Sequence, residues 1–367
     1  AVAENRGDIH LWQTAPLRFL RTIQGPLSDR PSLAISPDGM HVAASAWDHS
    51  ISVWETSSAH LVKRFRGNGG PVKDLDFSPD GKQIACGTGD HLVRVWEFAT
   101  DQQKGAVSAG ASPVSEVAFD PQGRTFVASY GDGTLAAWDA DSHQEQWRNV
   151  ERETQALGVA YSPDGDQIAV ARASKGVELV ASSNGERLFL FSKHKAAPRC
   201  VAFAPNGQWI ASAGRDRRVL GWNSETGDIL FEIPIKTTLI CSVAINSDGT
   251  LLAAGDRVGR ALLWDVASKT VRWQSETGNK AISCVTFSPD GRLGVTRGDG
   301  SFELRRLEDG RVTARFLNPV ERRRVEIGFL SGGRRFVSAV SYGAVRMWEY
   351  PTGRHVLDLA STSDSSG

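Results

Sequence analysis

His194, Ser212 and Asp216 are the residue types of an acyl-transfer triad: an imidazole base, a hydroxyl nucleophile and an orienting carboxylate. A triad is defined by geometry, so composition alone does not make one. The remaining histidines, His10, His41, His49, His60, His91, His143 and His355, form no His-Glu-x-x-His pair. His49 and His91 directly follow aspartates in turn-like sequences and are expected to sit exposed. Cys86, Cys200, Cys241 and Cys284 have no metal-ligand spacing and are read as free thiols of a reducing compartment. A thiolate–metal bond of about 2.3 Å would need several of them to converge. No phosphate-binding glycine loop or calcium loop occurs, so neither catalysis nor a metal or cofactor is expected.

The elements that carry these residues are repetitive. Ser36-Pro37-Asp38-Gly39 returns as Ser78-Pro79-Asp80-Gly81, Asp120-Pro121-Gln122-Gly123, Ser162-Pro163-Asp164-Gly165 and Ala204-Pro205-Asn206-Gly207. It continues as Asn246-Ser247-Asp248-Gly249, Ser288-Pro289-Asp290-Gly291 and an eroded Leu330-Ser331-Gly332-Gly333, at a period of 42 residues. Trp12, Trp54, Trp96, Trp138, Trp222, Trp264 and Trp348 keep the same period. Val180 and Arg306 hold the two empty slots. The Gly298-Asp299-Gly300 turn suggests a one-residue deletion that would make Arg305 the equivalent.

Each copy reads as four short strands. In the second these are Val72 to Phe77, Gln83 to Gly87, Leu92 to Glu97 and Lys104 to Ser108. Pro presets the first central position of a type I turn, and Gly supplies the positive φ that follows. One such sheet cannot bury both faces. Radial stacking of sheets buries them, and ring closure protects the edges.

The Pro-Asp-Gly turns and periodic tryptophans resemble the WD-repeat family of β-propellers over about residues 8–360. The resemblance implies an all-β propeller with eight four-stranded blades, or seven plus a leftover blade. It also implies a structural tetrad in the fifth copy: His194, Ser212, Asp216 and Trp222, linked by hydrogen bonds from the outer loop to the indole N–H. Other copies depart from it. Asp48, Asp90 and Asp132 keep the turn acid, but Pro26, Asn68 and Gly110 hold the His slot. The fourth copy lacks both Asp and Trp, and the sixth has Val258 and the eighth Tyr342 in the acid slot. These blades are expected to lean on apolar packing, with the fourth and seventh the softest. Trp147 and Trp273 share another slot and are expected to pack on outer strands.

Residues 1–24 read as a partial repeat: Ile9 to Gln13 as a third strand and Leu17 to Ile23 as a fourth. Residues 25–360 are the propeller, and the polar tail 361–367 is expected to be disordered. The last copy has its own fourth strand, His355 to Leu359, so the N-terminal pair is surplus. It either competes for the closing edge or belongs to a preceding propeller.

Charge excludes some partners. Lys+Arg and Asp+Glu both number 42, so no global field favours nucleic acid or an anionic membrane. No run of 18 apolar residues is present and Ala1 to Asp8 have no apolar core, so neither a membrane span nor a signal peptide is expected. The charge is uneven: residues 100–170 carry 11 acids and 4 bases, and residues 280–355 carry 14 bases and 8 acids.

In WD-repeat proteins three positions per blade commonly face one surface of the ring, 25, 23 and 7 residues before the repeat Trp. Carried over, they include Trp47, Lys73, Arg199, Arg215, Arg257 and Arg323. Arg199, Arg215 and Arg257 group on blades five and six; Trp47 and Arg323 group on blades one and eight. Trp and Arg suit binding hot spots, and arginines suit an acidic or phosphorylated segment of a protein or peptide. The expected function is therefore a non-catalytic, cytoplasmic interaction scaffold or sensor. The resemblance extends to the Ser-Pro-Asp-Gly repeats of large bacterial regulatory proteins, and with the missing initiator Met it suggests the C-terminal region of a larger signalling protein. The alternatives are an enzyme with a central-channel small-molecule or metal site, and a nucleic-acid binder using the basic blades seven and eight. Nucleic acid is disfavoured because no aromatics interleave with Glu321-Arg322-Arg323-Arg324. Oligomeric state is left open.

Overall fold

The computed structural model describes residues 9–14, 17–23, 32–45, 48–55, 61–151, 154–174, 176–235, 239–276, 280–288, 291–297, 302–316, 325–329, 336–340, 347–348 and 355–357. Among them are seven four-stranded antiparallel sheets, each a meander with its strands in chain order. The first runs through Leu33–Ile35, His41–Ser45, Ile51–Glu55 and Leu61–Phe65. The fifth runs through Pro198–Phe203, Trp209–Gly214, Arg218–Asn223 and Ile229–Pro234. The eighth copy contributes two described pairs, Val325–Phe329 with Phe336–Val340 and Met347–Trp348 with His355–Leu357. The N-terminal pair is Ile9–Thr14 with Leu17–Ile23. Innermost strands of successive copies stand side by side from the first to the eighth.

The repeated turn explains the period. In the second copy Gly81 donates its backbone N–H to the Ser78 carbonyl at 2.8 Å, and Gly81 sits at φ 72°. That left-handed conformation is strained for any residue with a Cβ. Asp80 Oδ1 accepts from the Ser78 hydroxyl at 2.7 Å and from the Lys82 N–H at 3.0 Å. Burial pushes the Asp80 carboxyl up, but these bonds and the Lys82 ammonium outweigh it and hold it down at about 2. The seventh copy is shorter at this turn. Ser288 pairs with Arg292 and Leu293 with Arg305, whereas Ile84 pairs with Trp96. The missing residue therefore lies between Ser288 and Arg292 rather than at Gly298-Asp299-Gly300. Arg305 is confirmed in the Trp slot.

Second strands are buried on both faces, as between Trp209 and Gly214. Each neighbouring pair of sheets builds its own core. Between the first and second sheets Phe65 meets Trp96 with ring centres 5.3 Å apart. Between the fourth and fifth, Phe191 stacks on Trp222 at 4.4 Å. Burying rings of this size supplies a large share of the stability.

Innermost strands have one unpaired edge each, and side chains of the neighbouring copy satisfy part of it. Asp74 Oδ2 accepts from the Val117 N–H, Asp76 Oδ2 from Phe119, and Glu116 Oε2 from Val159, at 3.0, 3.0 and 2.8 Å. Ser242 does the same for Val285 at 3.1 Å. Burial raises the Asp76 carboxyl to about 6, helped by the neighbouring Asp74 charge, and burial also raises Asp74.

Candidate protein-interaction surface

The fifth blade holds three of its four expected tetrad members in a hydrogen-bonded chain. His194 Nδ1 lies 2.8 Å from Asp216 Oδ2, and His194 Nε2 lies 2.8 Å from Ser212 Oγ. Asp216 also accepts from the backbone N–H groups of Lys195 and Arg218, at 3.1 and 3.3 Å. Burial pushes the Asp216 carboxyl up, yet the hydrogen bond and charge of His194 and these N–H groups hold it below the usual range. His194 bridges the acid and the serine from a site where its side chain is only 1 % exposed. That position fixes a loop and leaves no approach for a substrate. The expected last link is corrected: Trp222 Nε1 has no partner among the described residues. The indole is held by its stack on Phe191 instead.

Other blades solve the same problem differently. In the second, Asn68 takes the His slot, and its Oδ1 accepts from Trp96 Nε1 at 3.2 Å and from the Cys86 thiol at 3.3 Å. Asp90 is paired with Arg94 at 2.6 Å. Asp48 is paired with Arg64, also at 2.6 Å. In the sixth, Asp256 replaces the missing acid from two positions earlier, accepting from the Val258 and Arg260 N–H groups at 3.0 and 2.8 Å. His49 and His91 are half-buried rather than exposed, and both occupy left-handed turn positions, at φ 66° and 73°.

The fourth and seventh blades, expected to lean on apolar packing, also bury ion pairs. Arg172 and Glu178 form a buried pair at 2.8 Å, with 1 % and 2 % of their side chains exposed. Arg297 and Glu303 occupy the corresponding positions at 3.2 Å, joined by Arg305 at 2.6 Å. Burial pushes Glu303 up, but the three-way pairing with Arg297 and Arg305 holds it below its ordinary range. Each leading arginine also reaches the preceding blade, Arg172 to the Gly133 carbonyl and Arg297 to the Gly259 carbonyl. The same two junctions carry Trp147 and Trp273, whose indole N–H groups donate to the Ser182 and Leu307 carbonyls at 2.6 and 3.0 Å. Both tryptophans are buried, as expected of packing residues.

The surface positions have their own backbone logic. Lys73 and Arg199 each sit at a β-bulge, where the register skips from Val72 to Asp74 and from Pro198 to Cys200. A bulge re-aims the extra residue's side chain. Pro198 faces Gly214 across the sheet, which brings Arg199 and Arg215 to one end of the fifth blade. The position seven before the Trp is clamped alike in five successive blades. Gly89, Gly131, Ala173, Arg215 and Arg257 donate their N–H to the carbonyls of Pro71, Pro113, Gln155, Ala197 and Leu239 at 2.8–3.1 Å. Lys73, Arg199, Arg215 and Arg257 are all exposed, and the three arginines make no ion pair among the described residues. Trp47 and Arg323 lie outside the described residues. The register slots missed Arg217, exposed and unpaired in the turn between Arg215 and Arg218, at φ 65°. The signal available was the Arg215-Asp216-Arg217-Arg218 run itself.

Comparison with known proteins agrees with this geometry. The family model described as WD domain, G-beta repeat matches residues 17–55, 59–97, 103–139 and 185–223. The crystal structure of the computationally designed Ika8 protein is similar in fold, with a TM-score of 0.76 at 18 % identity, covering 87 % of this chain and 96 % of that one. No curated protein matches. The chain folds as a β-propeller, and four of its segments match the WD repeat. WD repeats commonly mediate protein–protein interaction.

Proposed function

We propose that this propeller is a non-catalytic scaffold that binds an acidic or phosphorylated segment of a protein partner across blades five and six. The observation that carries the reading is the group Arg199, Arg215 and Arg257: exposed, without ion pairs, and held at bulged or clamped backbone positions. Most arginines elsewhere in the described blades are engaged, as Arg64, Arg94, Arg172 and Arg297 are. Guanidinium groups without an ion partner match carboxylate or phosphate oxygens in pairs, and a stiff backbone beneath them confines the ordering cost of binding to the side chains. Lys73 lies on the second blade at the bulge position equivalent to Arg199, and Trp47 and Arg323 would extend the surface at blades one and eight. We place the protein in a reducing cytoplasm, in keeping with its four free cysteines. We further propose that it acts as the C-terminal region of a larger regulatory protein of bacterial type.

The test is a binding titration with matched phosphorylated and unphosphorylated peptide mixtures. The wild type should prefer the phosphorylated set, with affinity falling as salt rises. The triple variant Arg199→Glu, Arg215→Glu, Arg257→Glu should lose at least ten-fold while its thermal unfolding is unchanged. Equal binding by the two proteins would place the function elsewhere.

A further inference from the structure

The chain contains two outer hairpins for a single blade. In the complete sheets the residue in the Trp slot follows a bulge and pairs with the residue seven positions on, as Trp54 with Leu61, Trp222 with Ile229 and Trp264 with Val271. The C-terminal pair obeys this rule, with Trp348 opposite His355 after a bulge at Met347/Trp348. So does the N-terminal pair, with Trp12 opposite Phe19 after a bulge at Leu11/Trp12. Both are therefore built as third and fourth strands. The only described strands of the eighth copy they could complete are Val325–Phe329 and Phe336–Val340, which form a two-stranded sheet with no further strand bonded to it. Ile9–Thr14 approaches both Phe336–Val340 and Met347–Trp348 within 8 Å between Cα atoms, and Leu17–Ile23 approaches Met347–Trp348. The N-terminal hairpin thus stands at the edge that the C-terminal hairpin is shaped to fill.

We infer that the two hairpins of this chain are alternative closures of the eighth blade and exchange on the edge of Phe336–Val340. An open strand edge recruits whatever strand can pair with it, and an isolated two-stranded hairpin is at best marginally stable. One hairpin is docked at a time, and the other is displaced. The device is a two-state element: anything that binds the displaced form of one hairpin shifts the ring to closure by the other.

The register names the test. Ala43 faces Val53, Ala85 faces Val95 and Ala253 faces Leu263, so Val337 faces Leu11 in one closure and Met347 in the other. Facing residues of antiparallel strands have Cα atoms about 4.5–5.5 Å apart, within disulfide reach. The full chain carrying Leu11→Cys, Val337→Cys and Met347→Cys is oxidised mildly, and the monomer is mapped by peptide mass. Links 11–337 and 347–337 should both form. Adding Trp12→Ala should raise the 347–337 share at least three-fold, and Trp348→Ala should lower it as much. Should either Trp variant fail to fold, Phe19→Ala and His355→Ala at the facing positions make the same test. A single link in all backgrounds, a ratio indifferent to these substitutions, or links joining two chains would each overturn the inference.

Discussion

Blade five and blades four and seven use arginine in opposite ways. In blade five the buried acid Asp216 is shared by His194 and by the guanidinium of Arg218 at the blade's end, a tryptophan fills the slot, and Arg199, Arg215 and Arg217 stand outside. In blades four and seven the Trp slot holds Val180 and Arg305, and a guanidinium–carboxylate pair is buried beside it. A buried ion pair carries a desolvation cost that its own attraction only partly offsets. Here each arginine also binds a carbonyl of the preceding blade, so the pair joins two blades instead of merely filling one. The lesson is that an arginine of a repeat protein is available to a partner only where its own blade does not need it.

The largest effect should come from splitting a buried pair. Arg172→Met alone, or Glu178→Leu alone, is expected to cost about 3–5 kcal/mol by leaving a buried charge unpaired. The double variant should recover most of that loss. Urea unfolding of the three variants reads this directly. Equal losses in the single and double variants would break the comparison.

Next come the tryptophans. Trp147→Phe removes a 2.6 Å bond to the Ser182 carbonyl, and the orphaned group adds about 1–3 kcal/mol to the loss of volume. Trp222→Phe loses volume but no hydrogen bond, because the indole N–H has no partner among the described residues. The first variant should therefore melt at the lower temperature.

Two carboxyls sharpen the contrast through pH. Folding raises Asp76 from its ordinary value of 3.8 to about 6, so the folded state holds that proton more tightly. Its contribution falls as pH rises through that window, and Asp76→Asn should stabilise the protein at neutral pH. Asp216 is held below 3.8, so its contribution is present above that value and is lost as pH falls further. The difference in melting temperature between the wild type and Asp76→Asn, and between the wild type and Asp216→Asn, measured from pH 3 to 8, should show these opposite slopes.

The smallest stability effect belongs to the surface. The triple change Arg199→Glu, Arg215→Glu, Arg257→Glu should move stability by no more than about 0.5 kcal/mol, because none of the three makes an ion pair. A large loss would mean that these arginines are structural after all.

Much of the architecture was legible in the sequence because the Ser-Pro-Asp-Gly turn demands its residues for local reasons. The His194–Asp216–Ser212 chain was legible through register. The Arg–Glu blades were not, since a charged residue in a strand ordinarily reads as a solvated face. Their equivalence emerges only when the seventh copy's deletion is placed between Ser288 and Arg292, which aligns Arg297 with Arg172 and Glu303 with Glu178. The final link to Trp222 was misread because indole N–H groups ordinarily find partners when buried. Here close stacking on Phe191 positions the ring without one.

Arginine labelling with phenylglyoxal, read residue by residue by peptide mass with and without the phosphorylated peptide mixture, tests both halves of the comparison at once. Arg199, Arg215 and Arg257 should react quickly and be protected by the peptides, while Arg172 and Arg297 stay unmodified until the protein unfolds. Labelling of Arg172 or Arg297 at the rate of Arg199, or no protection of the outer three, would contradict the account.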